Sequence, residues 1–199
     1  MDELSFSPAC ERNKAPILAI LRDALADCGS VLEIGSGTGQ HAVHFASGLL
    51  QLTWQPTDLG ENLAALIARI DAEGTRNCAQ PLELDVHSPE WPVKSVEAVF
   101  SANTLHIMSW AGVRAFFAGV GRVLAVGGRL CIYGPFRYDG DYTSPSNAAF
   151  DWSLRDRDPA SGIRDFEAVA ELATQQQLTS LADHAMPANN QLLVWERNA

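Results

Sequence analysis

Residues 31–41 read VLEIGSGTGQH, and this stretch decides the fold. The apolar residues at its start predict a short buried strand, and the glycines at 35, 37 and 39 predict a tight turn that leads into a helix. A glycine turn between a strand and a helix is typical of nucleotide-binding α/β proteins, because glycine lets a ligand approach the backbone. The spacing is GxGxG. The dinucleotide fingerprint GxGxxG would need a glycine where Gln40 stands.

Strand-like and helix-like segments alternate along the rest of the chain. The predicted strands are 30–34, 52–56, 81–86, 96–102, 129–133, 178–184 and 191–197, and the predicted helices are 16–25, 40–49, 61–72, 110–124 and 166–176. This alternation favours an α/β sandwich with a largely parallel sheet, in one domain that spans residues 1–199. The long connection 135–165 is predicted to carry a short helix that begins near Ser146 and to cover a functional site.

Polar residues follow the predicted strands where each strand ends. Glu33 precedes the turn, Asp58 follows the second strand, Asp85 ends the third and Asn103 follows the fourth. In an open α/β sheet ligands bind beyond the carboxyl ends of the strands, so these side chains should meet at one site. Asp58 would accept both ribose hydroxyls, and Asp85 would accept from an adenine amino group. Alternatively, Asp58 only caps the next helix and Asp85 only shapes a turn.

A glycine turn of this kind is compatible with two cofactors, S-adenosylmethionine and a dinucleotide. A carboxylate at Glu33 suits the ammonium or sulfonium of S-adenosylmethionine and would repel a pyrophosphate. We therefore expect S-adenosylmethionine, with two alternatives kept: a nicotinamide-dependent oxidoreductase, and a non-catalytic module that binds the cofactor to regulate a partner. In the alternative structural interpretation, Glu33 only accepts hydrogen bonds from nearby backbone amides.

The composition limits which binding partners and which cellular compartment we expect for the protein. The chain has 199 residues, 24 Asp and Glu against 14 Lys and Arg, and a net charge of −10. An acidic surface makes nucleic acid and membrane surfaces poor partners. The sequence carries no signal-peptide pattern and no apolar run of about 20 residues. Four cysteines without CxxC spacing predict free thiols, and no metal-ligand spacing stands out. We expect a cytoplasmic monomer or homodimer without a metal.

Four features together resemble the class I S-adenosylmethionine-dependent methyltransferases: VLEIGSGTGQH, GGRLCIYGPF at 127–136, and the strand ends at Asp58 and Asp85. The runs SPACERNKAPIL at 7–18 and GPFRYDGDYTSPSNAAFDWSLRDRDPASGIRD at 134–165 resemble the family that includes methyltransferase-like protein 26. The resemblance covers nearly the whole chain. It implies a Rossmann-like three-layer sandwich, whose seven-stranded, mostly parallel sheet has an antiparallel last strand beside strand six.

The resemblance and the strand-end pattern together give a set of predicted cofactor-binding residues. They are Arg12, Glu33, Gly35, Ser36, Gly37, Gly39, His41, Asp58, Asp85, Val86 and Asn103. Arg12 belongs to a segment, 5–13, that could fold across the cofactor and pair with its carboxylate. His41 and His44 are three apart on a predicted helix, a spacing that can bind metal, and the favoured alternative is a packed His41 and a surface His44.

The acceptor is predicted to be a small molecule. Residues 101–106 read SANTLH and lack the Asn/Asp-Pro-Pro-aromatic motif of many enzymes that methylate exocyclic or amide nitrogens. His106 stands where class I enzymes often place a base, so it is the predicted catalytic residue, with a packed histidine as the alternative. The predicted acceptor contacts are Tyr133, Tyr142, Asn147 and Arg155. Alternatively, the arginines of 135–165 form ion pairs within a cover.

Overall fold

A seven-stranded sheet runs through the computed structural model, which describes residues 4–199. The strands of the chain are β1 (Ser30–Ile34), β2 (Thr53–Asp58), β3 (Leu82–Glu83), β4 (Val96–Ala102), β5 (Leu124–Gly134), β6 (Phe136–Tyr138), β7 (Asp141–Tyr142), β8 (Arg164–Asp165), β9 (Leu178–Met186) and β10 (Asn190–Arg197). The main sheet has the order β3-β2-β1-β4-β5-β10-β9. Its pairs are parallel except that β10 is antiparallel to both neighbours. The predicted sheet is confirmed.

Helices cover both faces of this sheet. They are α1 (Pro8–Ala24), α2 (Gln40–Gly48), α3 (Leu63–Glu73), α4 (Trp110–Val123), α5 (Pro145–Arg157) and α6 (Phe166–Gln175). Successive strand residues point to opposite faces, so Val31 packs with α1 to α3 while Leu32 packs with α4 and α6. The two apolar cores on either side make the predicted three-layer sandwich, which is confirmed. No helix within residues 4–199 has both the length and the apolar character needed to cross a membrane.

Several boundaries differ from the predicted ones; β5, for example, begins at Leu124 rather than at residue 129. Helix α1 begins at Pro8 rather than at residue 16, because Ser7 caps it by accepting from the Cys10 amide and proline suits a first helical position. Helix α5 begins at Pro145 rather than near Ser146, with Ser144 as its cap. Strand β3 has two residues instead of six and lies at the edge of the sheet, paired with β2.

The connection 135–165 is ordered structure rather than a loop. Strands β6, β7 and β8 form a small sheet in the order β7-β6-β8, and α5 lies between β7 and β8 in the chain. Gly162, just before β8, donates to the carbonyl of His106 at 2.9 Å. This small sheet with α5, which we call the cover, therefore reaches the carboxyl end of β4.

Candidate functional site

The glycine turn after β1 uses backbone conformations that favour glycine. Gly35, Gly37 and Gly39 have φ angles of 76°, 54° and 75°. The amides of Gly35 and Ser36 both donate to the Thr57 carbonyl at 3.0 Å, and the Ser36 hydroxyl accepts from the Thr57 amide at 3.1 Å. The turn is thus tied to the end of β2, and Gly39 starts α2 without a side-chain cap.

The three glycines differ in the space beside them. A Cβ on Gly35 would lie 2.8 Å from the Thr104 hydroxyl, and one on Gly39 would lie 2.8 Å from Leu66. A Cβ on Gly37 would meet nothing within 4 Å, and Gly37 is exposed. Gly35 and Gly39 therefore serve packing, whereas Gly37 leaves room for a ligand against the backbone.

Asp58 lies directly against this turn. Its Oδ2 accepts from the Gly37 amide at 2.6 Å, and its Oδ1 accepts from the Leu59 amide at 2.8 Å and the Asn62 side chain at 2.7 Å. The carboxylate is 7 % exposed. It both closes the turn and stands at the end of β2, where the sequence placed it. A carboxylate has about four acceptor positions, so one remains for a ligand hydroxyl.

Glu33 is inside the protein rather than projecting from the strand end. It is 1 % exposed, and its Oε2 accepts from the Trp54 indole nitrogen at 2.9 Å. Burial raises the pKa of Glu33 to about 7, and the charge of Asp58 adds to the rise, while hydrogen bonds from Trp54 and Ser36 oppose it. A cation bound at the turn would favour the ionised carboxylate through its charge.

Three more predicted cofactor residues lie along the same edge of the sheet. Asp85 is exposed, two residues past β3, and accepts from the His87 amide at 2.9 Å. Val86 is buried in the core between the sheet and α4. Asn103 directly follows β4 in the left-handed region with φ 59°, and its amide donates to the Tyr133 carbonyl. A left-handed non-glycine residue stores strain, which is common at functional sites.

The N-terminal segment crosses the glycine turn. The Ser7 amide donates to Gln40 Oε1 at 2.5 Å. Arg69 donates to the Ser5 carbonyl at 2.5 Å and to the Thr38 carbonyl at 3.3 Å. The segment and the turn are therefore held together by Gln40 and Arg69, two residues that the sequence analysis missed. A neutral glutamine after a glycine gives no pattern from which to find such a contact.

Of the predicted cofactor residues Arg12 and His41, the first is on the surface and the second is buried. Arg12 is exposed on α1; burial raises the pKa of the Tyr133 hydroxyl, and the charge of Arg12 opposes that rise. His41 is 4 % exposed, its Nε2 contacts Asn13 Oδ1 at 2.6 Å, and its ring stacks on Phe45 at 5.1 Å. Burial lowers the pKa of His41 to about 4. The polar atom of this ring thus joins α1 to α2, and its cofactor role stays a prediction.

His106 lies in the turn after β4, beneath the cover. It is 6 % exposed, with its ring edge-on to Phe150 at 5.4 Å and its Nδ1 3.7 Å from a Cβ placed on Gly134. Burial, with the charges of Arg164 and Arg157, lowers the pKa of His106 to about 4, and no hydrogen bond contributes to that shift. The imidazole is therefore neutral at pH 7 and able to accept a proton.

The four predicted acceptor residues make contacts within the protein. Tyr133 accepts from Asn190 at 3.0 Å, and Asn147 donates to Thr143 and to the Asn189 carbonyl, both at 2.9 Å. Their roles toward an acceptor stay predictions.

Tyr142 and Arg155 share one partner. Tyr142 donates to Asp151 Oδ2 at 2.7 Å, and Arg155 donates to the same oxygen at 2.8 Å. Asp151, 2 % exposed, was not singled out. Its spacing of four from Arg155 on one helix was the available signal.

A cavity of about 620 Å³ lies away from this edge. Its lining includes Cys28, Glu97 and Gly127, which stand at the opposite ends of the strands from the glycine turn. Within residues 4–199, no group of three or more His, Cys, Asp or Glu side chains is arranged to hold a metal ion. The four cysteines are free thiols, as predicted.

Comparison with known proteins gives a family and a fold. The family model described as "Protein of unknown function (DUF938)" matches residues 4–197. An O-methyltransferase family protein from Burkholderia thailandensis superposes with a TM-score of 0.83 at 18% identity, over 96% of this chain and 58% of that one. The mitomycin 7-O-methyltransferase MmcR gives 0.82 at 13% identity, over 95% and 54%.

A third similar structure was solved with ligands. NcsB1, an O-methyltransferase from neocarzinostatin biosynthesis in complex with S-adenosylmethionine and 2-hydroxy-5-methyl naphthoic acid, gives a TM-score of 0.78 at 18% identity, over 95% of this chain and 54% of that one. At these identities the likeness shows the fold. The chain spans little more than half the length of each of the three structures.

Proposed function

The chain belongs to the family described as Protein of unknown function (DUF938), and from its site we propose that it is an S-adenosylmethionine-dependent methyltransferase acting on a small-molecule acceptor. One observation carries this proposal: the left-handed glycine turn leaves open space beside Gly37, and the Asp58 carboxylate borders that space. The turn ends β1 where the sheet order reverses between β1 and β4, which is the position of ligand sites in open α/β sheets.

The charges around the turn suit a cationic cofactor better than a dinucleotide. A pyrophosphate would need the amides of the turn, yet the Gly37 amide already donates to Asp58. It would also lie near two carboxyl groups, Asp58 and Glu33. The sulfonium and ammonium of S-adenosylmethionine would instead be attracted to them. This arrangement favours the methyltransferase over a nicotinamide-dependent oxidoreductase.

The residues present would hold the cofactor at its two ends. Asp58 would accept one ribose hydroxyl at its remaining acceptor position, and exposed Asp85 would accept from the adenine amino group. Gly37 would let the cofactor lie against the backbone, and Glu33 would balance its positive end through the turn. When bound, the cofactor supplies an electrophilic methyl group on a sulfonium.

His106 is the proposed base on the acceptor side. Its neutral imidazole would take the proton from the acceptor's nucleophile. Phe150 lies edge-on to the imidazole and provides an apolar surface beside it. The similarity to O-methyltransferases of small aromatic molecules favours a hydroxyl as the nucleophile. The resemblance of 7–18 and 134–165 to the methyltransferase-like protein 26 family belongs to the same proposal.

Calorimetric titration with S-adenosylmethionine, S-adenosylhomocysteine and NAD tests the cofactor. We expect both sulfur cofactors to bind and NAD to give no heat. Asp58→Ala should weaken binding by about 1–3 kcal/mol, because hydrogen bonds to a charged group are lost. Glu61→Ala removes the same charge from an exposed position and should bind as the wild type does. Equal affinity of the two variants would remove Asp58 from the site.

A methyl-transfer assay separates catalysis from mere binding. With labelled S-adenosylmethionine and a panel of phenolic and carboxylate small molecules, the proposal expects label in an acceptor. Tight cofactor binding without transfer to any acceptor would instead favour the non-catalytic module.

A further inference from the structure

The turn that carries His106 is fixed along its whole backbone by residues 160–164, which we call the 160–164 segment. Four consecutive carbonyls of the turn each accept a hydrogen bond from this segment. Arg164 Nε donates to Leu105 at 3.1 Å, Gly162 N to His106 at 2.9 Å, Ser161 Oγ to Ile107 at 2.8 Å and an Arg164 terminal nitrogen to Met108.

Arg164 contributes hydrogen bonds to backbone carbonyls rather than an ion pair. It is 9 % exposed, and among the ion pairs within residues 4–199 none includes it. Its donors go to the carbonyls of Leu105, Met108 and Ala160. Burying an unpaired guanidinium is costly, and a planar fork of donors is the feature that lysine lacks. The cost of burying this guanidinium is explained if it must bind the carbonyls of Leu105 and Met108, at the two ends of the turn, at the same time.

Asp151 in turn holds the 160–164 segment. Its Oδ1 accepts from the Ile163 amide at 2.5 Å, while its Oδ2 accepts from Tyr142 and Arg155. Gly162 has a φ of 147°, and a Cβ there would lie 2.7 Å from the Arg155 guanidinium. The Asp151–Arg155 pair and Gly162 therefore pack together directly behind the turn.

We propose that Ser161, Gly162 and Arg164 are positioning residues that fix the orientation of His106 toward the acceptor. The inference rests on the proposed function for the role of His106 as base. The four carbonyl contacts restrain the backbone of the turn, and the imidazole lies beside Gly134 and Phe150 with no hydrogen bond to its ring from residues 4–199. The cover thus positions the proposed base in addition to shielding it.

Amide hydrogen exchange and a histidine titration by NMR test this without an acceptor. The amides of Ile107 and Met108 donate to Thr104 inside the turn and report its opening. In Arg164→Lys, which keeps the charge, and in Ser161→Ala, which removes one bond, both amides should exchange about tenfold faster or more. The His106 titration should move up from about 4 as the ring gains solvent.

Arg157→Met is the matched control. Arg157 also acts on His106 through its charge, but its Nε donates to Ser153 on its own helix. This variant should leave the exchange of both amides at the wild-type rate. Wild-type exchange and an unmoved His106 titration in folded Arg164→Lys and Ser161→Ala would overturn the inference. If the wild type transfers no methyl group while the turn loosens in both variants, the proposed function fails, but the fixing of the His106 turn by the 160–164 segment stands.

Discussion

Glu33 couples the site to pH through its burial. Its pKa is 4.5 in an unfolded chain and about 7 in the folded one. Because the folded state binds this proton more tightly, the stabilisation is fully present below about pH 4.5 and is lost as the pH rises through about 7. Ionised Glu33 is therefore a destabilised group that a bound cation would relieve.

Glu33→Gln should remove this pH dependence. Between about pH 5 and about pH 8 the unfolding free energy of the wild type should fall by about 3 kcal/mol relative to the variant. Urea denaturation at several pH values measures this difference, and Glu61→Gln, at an exposed position, should follow the wild type. Parallel curves for wild type and Glu33→Gln would mean that Glu33 is already ionised at low pH.

His106→Ala should slow methyl transfer about 10²–10⁴-fold while cofactor affinity stays unchanged, because a base acts in the transition state. Since the pKa of His106 is about 4, the wild-type rate should fall only below about pH 5 and be flat near neutrality. His184→Ala, on β9, is the control and should retain the rate. Full activity of His106→Ala would assign the ring to packing.

The positions of residues along strands were predictable, but their partners were not. Asp58 was expected at a strand end beside the glycine turn, because strand patterns are local, and it lies there. The hydrogen-bond partner of buried Glu33 is Trp54, in another strand, and the partner of buried His41 is Asn13, in a helix. Such contacts join distant parts of the chain and leave no local pattern.

At the scale of elements, a substitution in the glycine turn can affect stability and cofactor binding separately. Gly37 and Gly127 have φ angles of 54° and 77°, and a Cβ on either would meet nothing within 4 Å. Gly37→Ala and Gly127→Ala should therefore cost the same stability, about 1 kcal/mol, from the left-handed backbone. Gly37→Ala alone should weaken cofactor binding, about tenfold or more, because its methyl group fills the ligand's space.

Thermal unfolding and calorimetry of the two glycine variants check this prediction. Equal stability loss with unchanged cofactor affinity in Gly37→Ala would show that nothing binds against this turn.

The cover shows where element prediction fails. Helix α5 exposes Phe150 and Trp152 and buries Asn147 and Asp151, so no apolar periodicity marks it. The Ser144-Pro145 pair was the usable signal, since serine caps a helix and proline suits the next position. Strands β6 to β8 have two or three residues each, too short for an alternating pattern to be recognised.

At the scale of the molecule, the sheet order brings the glycine turn, the end of β2 and the His106 turn to one edge. Alternation of strands and helices predicted the parallel sheet, because each crossover returns the chain to the same end. The antiparallel β10 came from the family resemblance, since a closing hairpin alone does not say which strand it joins. The glycine turn follows β1, at the point where the strand order reverses between β1 and β4.

A crystal structure of the chain with S-adenosylhomocysteine would test the central claim most directly. We predict a ribose hydroxyl on Asp58, the adenine near Asp85 and the amino-acid end beside Gly37. The sulfur should face the side of His106. Density for the ligand at the opposite edge of the sheet, in the cavity near Gly127, or a glycine turn that stays empty at saturating ligand, would contradict the assignment.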